Sequence, residues 1–282
     1  MAVASLTLTA CTIGWAPDQD PAVMAGLREA GVTHVEFAPT RLWPDLGSVR
    51  SAQARAERRR WEQAGLQVSS FQSVLFGRPD LLVFGTPGQR ADLVLHLEAV
   101  LDLAQEMGAT RVVFGSPRNR VRGELLPERA EQIAVDLFGV LGEASVRRGT
   151  VLCLEPNPVE YGTDSWTTAG QAAGLVRQVD SPGFRLHLDL ACARLAGDDF
   201  AGAVREWVSL LAHVHWSRPQ LGPVRDLSCE DWDGWAALTE SGYSGFVGLE
   251  QRTTANAVED MAVAIRLMRS LQAGRAVRPT GA

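Results

Sequence analysis

The hydrophobic pattern of this 282-residue chain changes period repeatedly, and that alternation limits its fold more than any other feature. Eight short apolar runs, at 5–15, 33–39, 67–74, 109–117, 150–158, 184–191, 211–217 and 244–251, read as strands. Their interiors are rich in Val, Leu and Phe, as in parallel strands buried on both faces. Between them, apolar residues recur at helical spacing. The stretch from Gln89 to Met107, for example, places Leu93, Leu97, Val100, Leu101 and Ala104 on one face. Gly31, Gly65, Gly108 and Gly149 each stand between a helical pattern and the next strand, where glycine commonly ends a helix. Eight βα units with no long spacer predict an α/β fold, a single-domain (β/α)8 TIM barrel over residues 1–273. A doubly wound open sheet is the structural alternative, but no G-x-G-x-x-G loop follows the first strand. Residues 274–282, rich in Gly, Arg and Pro, are expected to form a disordered tail.

Polar residues interrupt the pattern where the strands end. Glu155 follows VLCL, Asp189 follows LHL, His215 closes LAHVH and Glu250 follows FVGL, at steps of 34, 26 and 35 residues. In a closed parallel barrel, side chains at neighbouring carboxyl ends converge on one mouth. Unpaired acids are rarely buried, so the recurrence in four consecutive units reads as one divalent metal site. Three oxygens and one nitrogen suit Mn²⁺, Mg²⁺ or Co²⁺, with Zn²⁺ also compatible. His213 lies two residues before His215 and so on the same side of its strand, one layer deeper. His213 and His187 therefore read as supporting residues.

Composition narrows the chemistry. The chain contains no lysine, so all 27 basic residues are arginine. That excludes Schiff-base catalysis by a side-chain amine, and with it internal pyridoxal phosphate. It also excludes a P-loop, which needs its lysine. No organic cofactor is expected. A net charge of −6 argues against a nucleic-acid partner. No apolar run reaches the ~20 residues of a membrane span. The first ten residues lack the charged start of a signal peptide. None of the four cysteines forms a C-x-x-C pair, and a reduced cytoplasmic protein is expected.

The spacing and the motifs LEPNP, LDLA, HVHWS and LEQR resemble the xylose-isomerase-like TIM-barrel superfamily, in its sugar phosphate isomerase/epimerase branch. The resemblance covers nearly the whole chain. VEFAPTRLWP, FQSVLFGRPDLLVFG and VVFGSPRNR resemble an uncharacterised subgroup of that branch. It implies that Glu155, Asp189, His215 and Glu250 hold one divalent metal. It also implies that Glu155 and Glu250 exchange the proton next to a substrate carbonyl. Such chemistry is physically sound: a metal on the carbonyl oxygen stabilises the enediolate, and a carboxylate on each face removes and returns the proton. Two positions depart from the ketose epimerases of the family. Cys192 stands where they carry a substrate-binding histidine, and Tyr161 where they carry a glutamate. The many-histidine, three-metal site of the family's nucleases is not matched by a chain with five histidines.

Other residues near the predicted mouth complete the expected site. Glu36 closes strand two and Gln72 closes strand three, both candidate substrate ligands alongside Tyr161 and Cys192. Trp15 at the end of strand one reads as packing. Arg41, Arg118, Arg120, Arg218 and Arg252 all follow strand ends, and guanidinium groups there could clamp a carboxylate or phosphate. Arg118, Arg218 and Arg252 are the candidate substrate contacts among them. Two loops, 75–88 and 118–127, exceed what a barrel needs and are expected to serve as lids or binding elements. The expected function is that of a metal-dependent isomerase or epimerase of a small sugar, sugar acid or sugar phosphate. A metal-dependent lyase or dehydratase, which begins with the same enolisation, is the first alternative, and a non-catalytic accessory barrel the second. Exposed helices of such barrels often pair, so a homodimer is compatible with the pattern.

Overall fold

The computed structural model describes residues 6–276 and 278. The first residue of the first strand run and most of the predicted tail (277 and 279–282) lie outside these. Eight parallel strands close into a barrel in chain order. They are β1 (Thr7–Cys11), β2 (His34–Phe37), β3 (Gln67–Phe71), β4 (Arg111–Phe114), β5 (Val151–Leu154), β6 (Phe184–Asp189), β7 (Leu211–Trp216) and β8 (Phe246–Leu249). The outer layer comprises α1 (Asp20–Glu29), α2 (Ser51–Gln63), α3 (Pro87–Met107), α4 (Pro127–Arg147), α5 (Ala169–Val179), α6 (Leu190–Ala196), α7 (Phe200–Trp207), α8 (Cys229–Glu240) and α9 (Ala257–Gln272). Two short helices, α6 and α7, share the crossover from β6 to β7. Each strand is shorter than its apolar run, because the run continues into the turn above it.

Helix limits follow local chemistry. The Thr86 hydroxyl accepts from the Gln89 amide and caps α3, whose Leu93, Leu97, Val100, Leu101 and Ala104 are all fully buried. Each large side chain of that stripe contributes about 1.5–3 kcal/mol by leaving water. At the other end of α3, Gly108 has φ 82°, a left-handed conformation that costs glycine nothing.

The register sets the layers inside the barrel. Asp189 on β6 pairs with His215 on β7, and His187 pairs with His213 one layer below. His215 pairs in turn with Gly248 on β8. An extra residue on β7 shifts the register at His187, and one on β3 shifts it opposite Glu36. Such bulges re-aim side chains, and both occur beside the polar core. The barrel centre is correspondingly polar: Glu36, His187, His213 and His215 are essentially inaccessible to solvent.

Candidate active site

Glu155, Asp189, His215 and Glu250 offer ligand atoms that all lie within 4.8 Å of one another, and all four residues are buried. Glu155 and Glu250 follow β5 and β8, while Asp189 ends β6 and His215 stands one residue before the end of β7. They form the floor of a cavity of about 590 Å³, within the usual range for a small-molecule site. The structure brings His215, rather than His213, together with the three acids.

Supporting contacts orient each of them. Asp189 caps α6 by accepting from the Cys192 amide at 2.6 Å, and its second oxygen accepts from the Ser217 hydroxyl at 2.6 Å. His215 donates from Nε2 to Glu36 at 2.5 Å, and His213 donates to the other oxygen of Glu36 at 2.6 Å. The Cys11 thiol donates to Glu36 as well, at 2.9 Å. With Nε2 so engaged, His215 turns Nδ1 toward the acids, 3.2 Å from Glu250 and 3.8 Å from Glu155. That buried Nδ1 makes no hydrogen bond. A ring whose Nε2–H is held by a carboxylate while Nδ1 faces three carboxylates has the usual arrangement of a metal-ligating histidine.

Glycines make room for this. A Cβ at Gly115, just after β4, would lie 2.2 Å from Glu155 Oε2. A Cβ at Gly248 would come within 3.1 Å of the His215 ring and 3.6 Å of Glu36.

The electrostatics are those of crowded charge. Burial, then Glu155 and Glu250, push the Asp189 carboxyl up to about 7. Burial also raises Glu250, with His215 pulling the other way and the neighbouring acids adding. Burial would raise Glu36 too, but His215 and His213 together hold it well below the usual carboxylate range. His215 is lowered by burial yet lifted well above the ordinary imidazole value by Glu36, then Glu250. His187 makes no hydrogen bond through either nitrogen, its Nε2 lying 3.7 Å from Glu155, and burial followed by the two nearby imidazoles lowers it well below the ordinary imidazole value. Three clustered carboxylates around an unsatisfied Nδ1 repel one another, and a divalent cation is the countercharge their donor chemistry suits.

The remaining predicted residues divide between the cavity and its surroundings. Gln72, Arg118, Tyr161 and Cys192 line the cavity. Glu36 does not: it sits one layer beneath, inside β2, where it orients two imidazoles instead of meeting a substrate. Arg218 is likewise withdrawn. Its two terminal nitrogens grip buried Asp231 at 3.0 and 2.9 Å, and it donates to the Ser217 and Asp226 carbonyls. Arg252 lies outside the cavity, its amide bonded to the Leu221 carbonyl. Arg41 pairs with buried Asp20, which also accepts from Trp15.

Both long loops reach the cavity. Leu75, Phe76 and Arg78 from one, and Arg118 and Asn119 from the other, contribute to its wall. Asn119 ties them together, donating to the Arg78 and Leu81 carbonyls at 2.8 and 2.7 Å. Phe76 is 76% exposed at the rim. Sequence reasoning missed Ser217, Gly115 and Gly248. The HWS and VVFGS motifs placed the first two beside strand ends, but their contacts depend on register.

A closed parallel barrel with three carboxylates and an imidazole gathered at its carboxyl mouth is a TIM barrel carrying a candidate metal centre. The chain belongs to the xylose isomerase-like TIM-barrel family, whose sequence profile matches residues 24–271. A human protein provisionally named hydroxypyruvate isomerase is 26% identical over 257 residues, which cover 86% of this chain and 87% of that one. A mouse protein with the same provisional name is 25% identical over 270 residues, covering 88% and 91%. Among solved structures, an L-ribulose 3-epimerase superposes with a TM-score of 0.75 at 18% identity, covering 96% of this chain and 95% of that one. The 3-keto-D-glucoside 4-epimerase YcjR of E. coli superposes with a TM-score of 0.74 at 17% identity, covering 95% and 100%. These two likenesses concern the fold.

Proposed function

We propose that this protein is a divalent-metal-dependent isomerase or epimerase of a small polyhydroxy carbonyl compound. One observation carries the reading: Glu155, Asp189, His215 and Glu250 gather within 4.8 Å on the floor of a substrate-sized cavity. The names borne by the relatives, hydroxypyruvate isomerase and sugar epimerase, agree with it. Those four residues would hold the ion, and the O₃N donor set suits Mn²⁺, Mg²⁺ or Co²⁺. When bound, a divalent cation polarises a substrate carbonyl and offsets the negative charge that develops on its oxygen.

The chain's own residues do the rest. Glu155 and Glu250 come from β5 and β8, three strands apart around the barrel, so they approach a bound substrate from different sides. One carboxylate takes the proton beside the carbonyl and the other returns it, which exchanges configuration or moves the carbonyl. Asp189, fixed by Ser217 and the Cys192 amide, holds its place while this happens. Glu36 keeps the lone pair of His215 Nδ1 directed at the site. The rim formed by Phe76 and the loop after β4 shields the reacting carbon from water. Cys11, Cys153 and Cys192 are buried thiols, in keeping with a reduced, cytoplasmic setting. Among the described residues no helix is long and apolar enough to cross a membrane.

Elemental mass spectrometry of purified wild type, Glu250→Gln and Asp189→Asn tests the site. About one divalent ion per wild-type chain, lost in both variants, is expected. Proton transfer is then tested by solvent-deuterium incorporation into hydroxy-carbonyl substrates, which Glu155→Gln and Glu250→Gln should reduce by at least about a hundredfold. A wild-type protein that takes up no Mn²⁺, Co²⁺, Mg²⁺ or Zn²⁺ would overturn the proposal. Incorporation accompanied by loss of water would favour a dehydratase.

A further inference from the structure

Most polar side chains around the cavity are already engaged. Asn119 is spent on the two carbonyls of the neighbouring loop. Asn157 accepts from Arg120 and faces the Cys192 sulfur, Ser217 serves Asp189, and the Tyr161 hydroxyl accepts from the Gln220 amide. Arg78 is paired with Asp80. Two groups differ. Gln72 is 3% exposed, and its amide oxygen accepts from Ser73 at 2.8 Å, while its amide nitrogen is buried with no partner. Arg118 is exposed at the edge of the cavity it lines, and its side chain makes no hydrogen bond or ion pair with any described residue.

Their placement is specific. Gln72 follows β3 and Arg118 follows the adjacent β4, while Asp189, His215 and Glu250 belong to β6, β7 and β8 on the other side of the ring. The turn Pro117–Arg120 separates three consecutive side chains. Arg118 faces the cavity, Asn119 ties down the neighbouring loop, and Arg120 is buried on the Glu155 carbonyl and Asn157. Ser116 enters that turn at φ 38°, ψ 61°, left-handed for a residue with a Cβ. The other walls nearby, Leu75, Phe76, Val113 and Leu221, are apolar and offer side-chain hydrogen bonds to no hydroxyl group.

We infer that Gln72 and Arg118 form a carboxylate-binding subsite, so that the substrate is a short hydroxy-keto or hydroxy-aldehyde acid rather than a neutral sugar. The inference rests on the isomerase reading for the position of the reacting carbon over the four ligands. An acceptor-only planar group matches the partnerless Gln72 N–H and the flat guanidinium fork of Arg118. The donor count is too low for a phosphate, which usually gathers several donors around three oxygens.

Calorimetric titration of the Mn²⁺-loaded protein tests this with three three-carbon probes that share a hydroxy-carbonyl unit. They are hydroxypyruvate, neutral dihydroxyacetone and dihydroxyacetone phosphate. Wild type should bind hydroxypyruvate at least about tenfold more tightly than the other two, and Arg118→Ala should weaken hydroxypyruvate about tenfold to a hundredfold, erasing the preference. Arg118→Lys should restore part of it. Equal weakening of hydroxypyruvate and dihydroxyacetone by Arg118→Ala, or no weakening of either, would overturn the subsite. A preference for the phosphate would overturn the carboxylate assignment. Failure of the isomerase reading is scored separately, by deuterium incorporation: Arg118-dependent binding of hydroxypyruvate without any incorporation would refute proton transfer and leave the subsite standing.

Discussion

Glu36→Gln is the sharpest probe of how the site is built, because Glu36 lies outside the cavity yet orients the one imidazole of the proposed metal site. Its carboxylate accepts from His215 at 2.5 Å, His213 at 2.6 Å and Cys11 at 2.9 Å, with no access to solvent. Glutamine preserves the volume but can accept through one oxygen, and its NH₂ meets an imidazole N–H head on. One ring must then switch tautomer. If His215 switches, its proton moves to Nδ1, the atom that faces Glu155 and Glu250. Loss of the Glu36 charge also removes the strongest pull raising the basicity of His215. Both effects weaken a metal–nitrogen bond, and removal of such a supporting carboxylate typically costs ~10–100-fold in metal affinity. Competition between the protein and a chelator for Mn²⁺, followed by electron paramagnetic resonance, measures it directly. Circular dichroism melting confirms that the variant folds. A folded Glu36→Gln protein with wild-type Mn²⁺ affinity would refute the argument that Glu36 sets the tautomer of the ligand.

Two further predictions come from the same shell. Gly115→Ala places a methyl group 2.2 Å from Glu155 Oε2, so the carboxylate must rotate away, and Mn²⁺ affinity should fall by ~10-fold in the chelator competition; unchanged affinity would mean that Glu155 is not a ligand in that rotamer. Asp189 is held up to about 7, well above its unfolded value, so the proton competes with the metal at ordinary pH. Mn²⁺ affinity should therefore level off above about pH 7 and drop by up to ~10-fold per unit below it, measured by titration across pH 5.5–8.5. A flat profile through that range would show that Asp189 carries no proton for the metal to displace.

The barrel was legible in the chain because eight period changes with glycine stops admit few other architectures, and the convergence of the four mouth residues because each acid or imidazole interrupts an apolar run near the end of its strand. What escaped was depth. Glu36 resembles Glu155 and Glu250 in sequence, each preceded by an apolar strand. Yet Glu155 and Glu250 stand just beyond the last strand residue, and Glu36 stands inside its own strand, one residue before Phe37 ends it. That position inside the strand, together with the extra residue on β3 opposite it, turns the carboxylate onto His213 and His215 rather than into the cavity. Strand ends cannot be placed to that accuracy from propensity alone, and side-chain role in a barrel changes with a shift of two residues.

The arginines escaped for a different reason. Arg218 and Arg118 both follow strand ends by a few residues, and nothing local distinguishes them. The distinction is made by Asp231, a residue on α8 that is fully buried and capped against Ser228, and needs a guanidinium to offset its charge. Arg120 is claimed in the same way, by the Glu155 carbonyl and Asn157. A charge at a barrel mouth is available to a substrate when the interior has no prior use for it. Long-range pairing removes Arg218 and Arg120, position outside the cavity removes Arg252, and Arg118 remains.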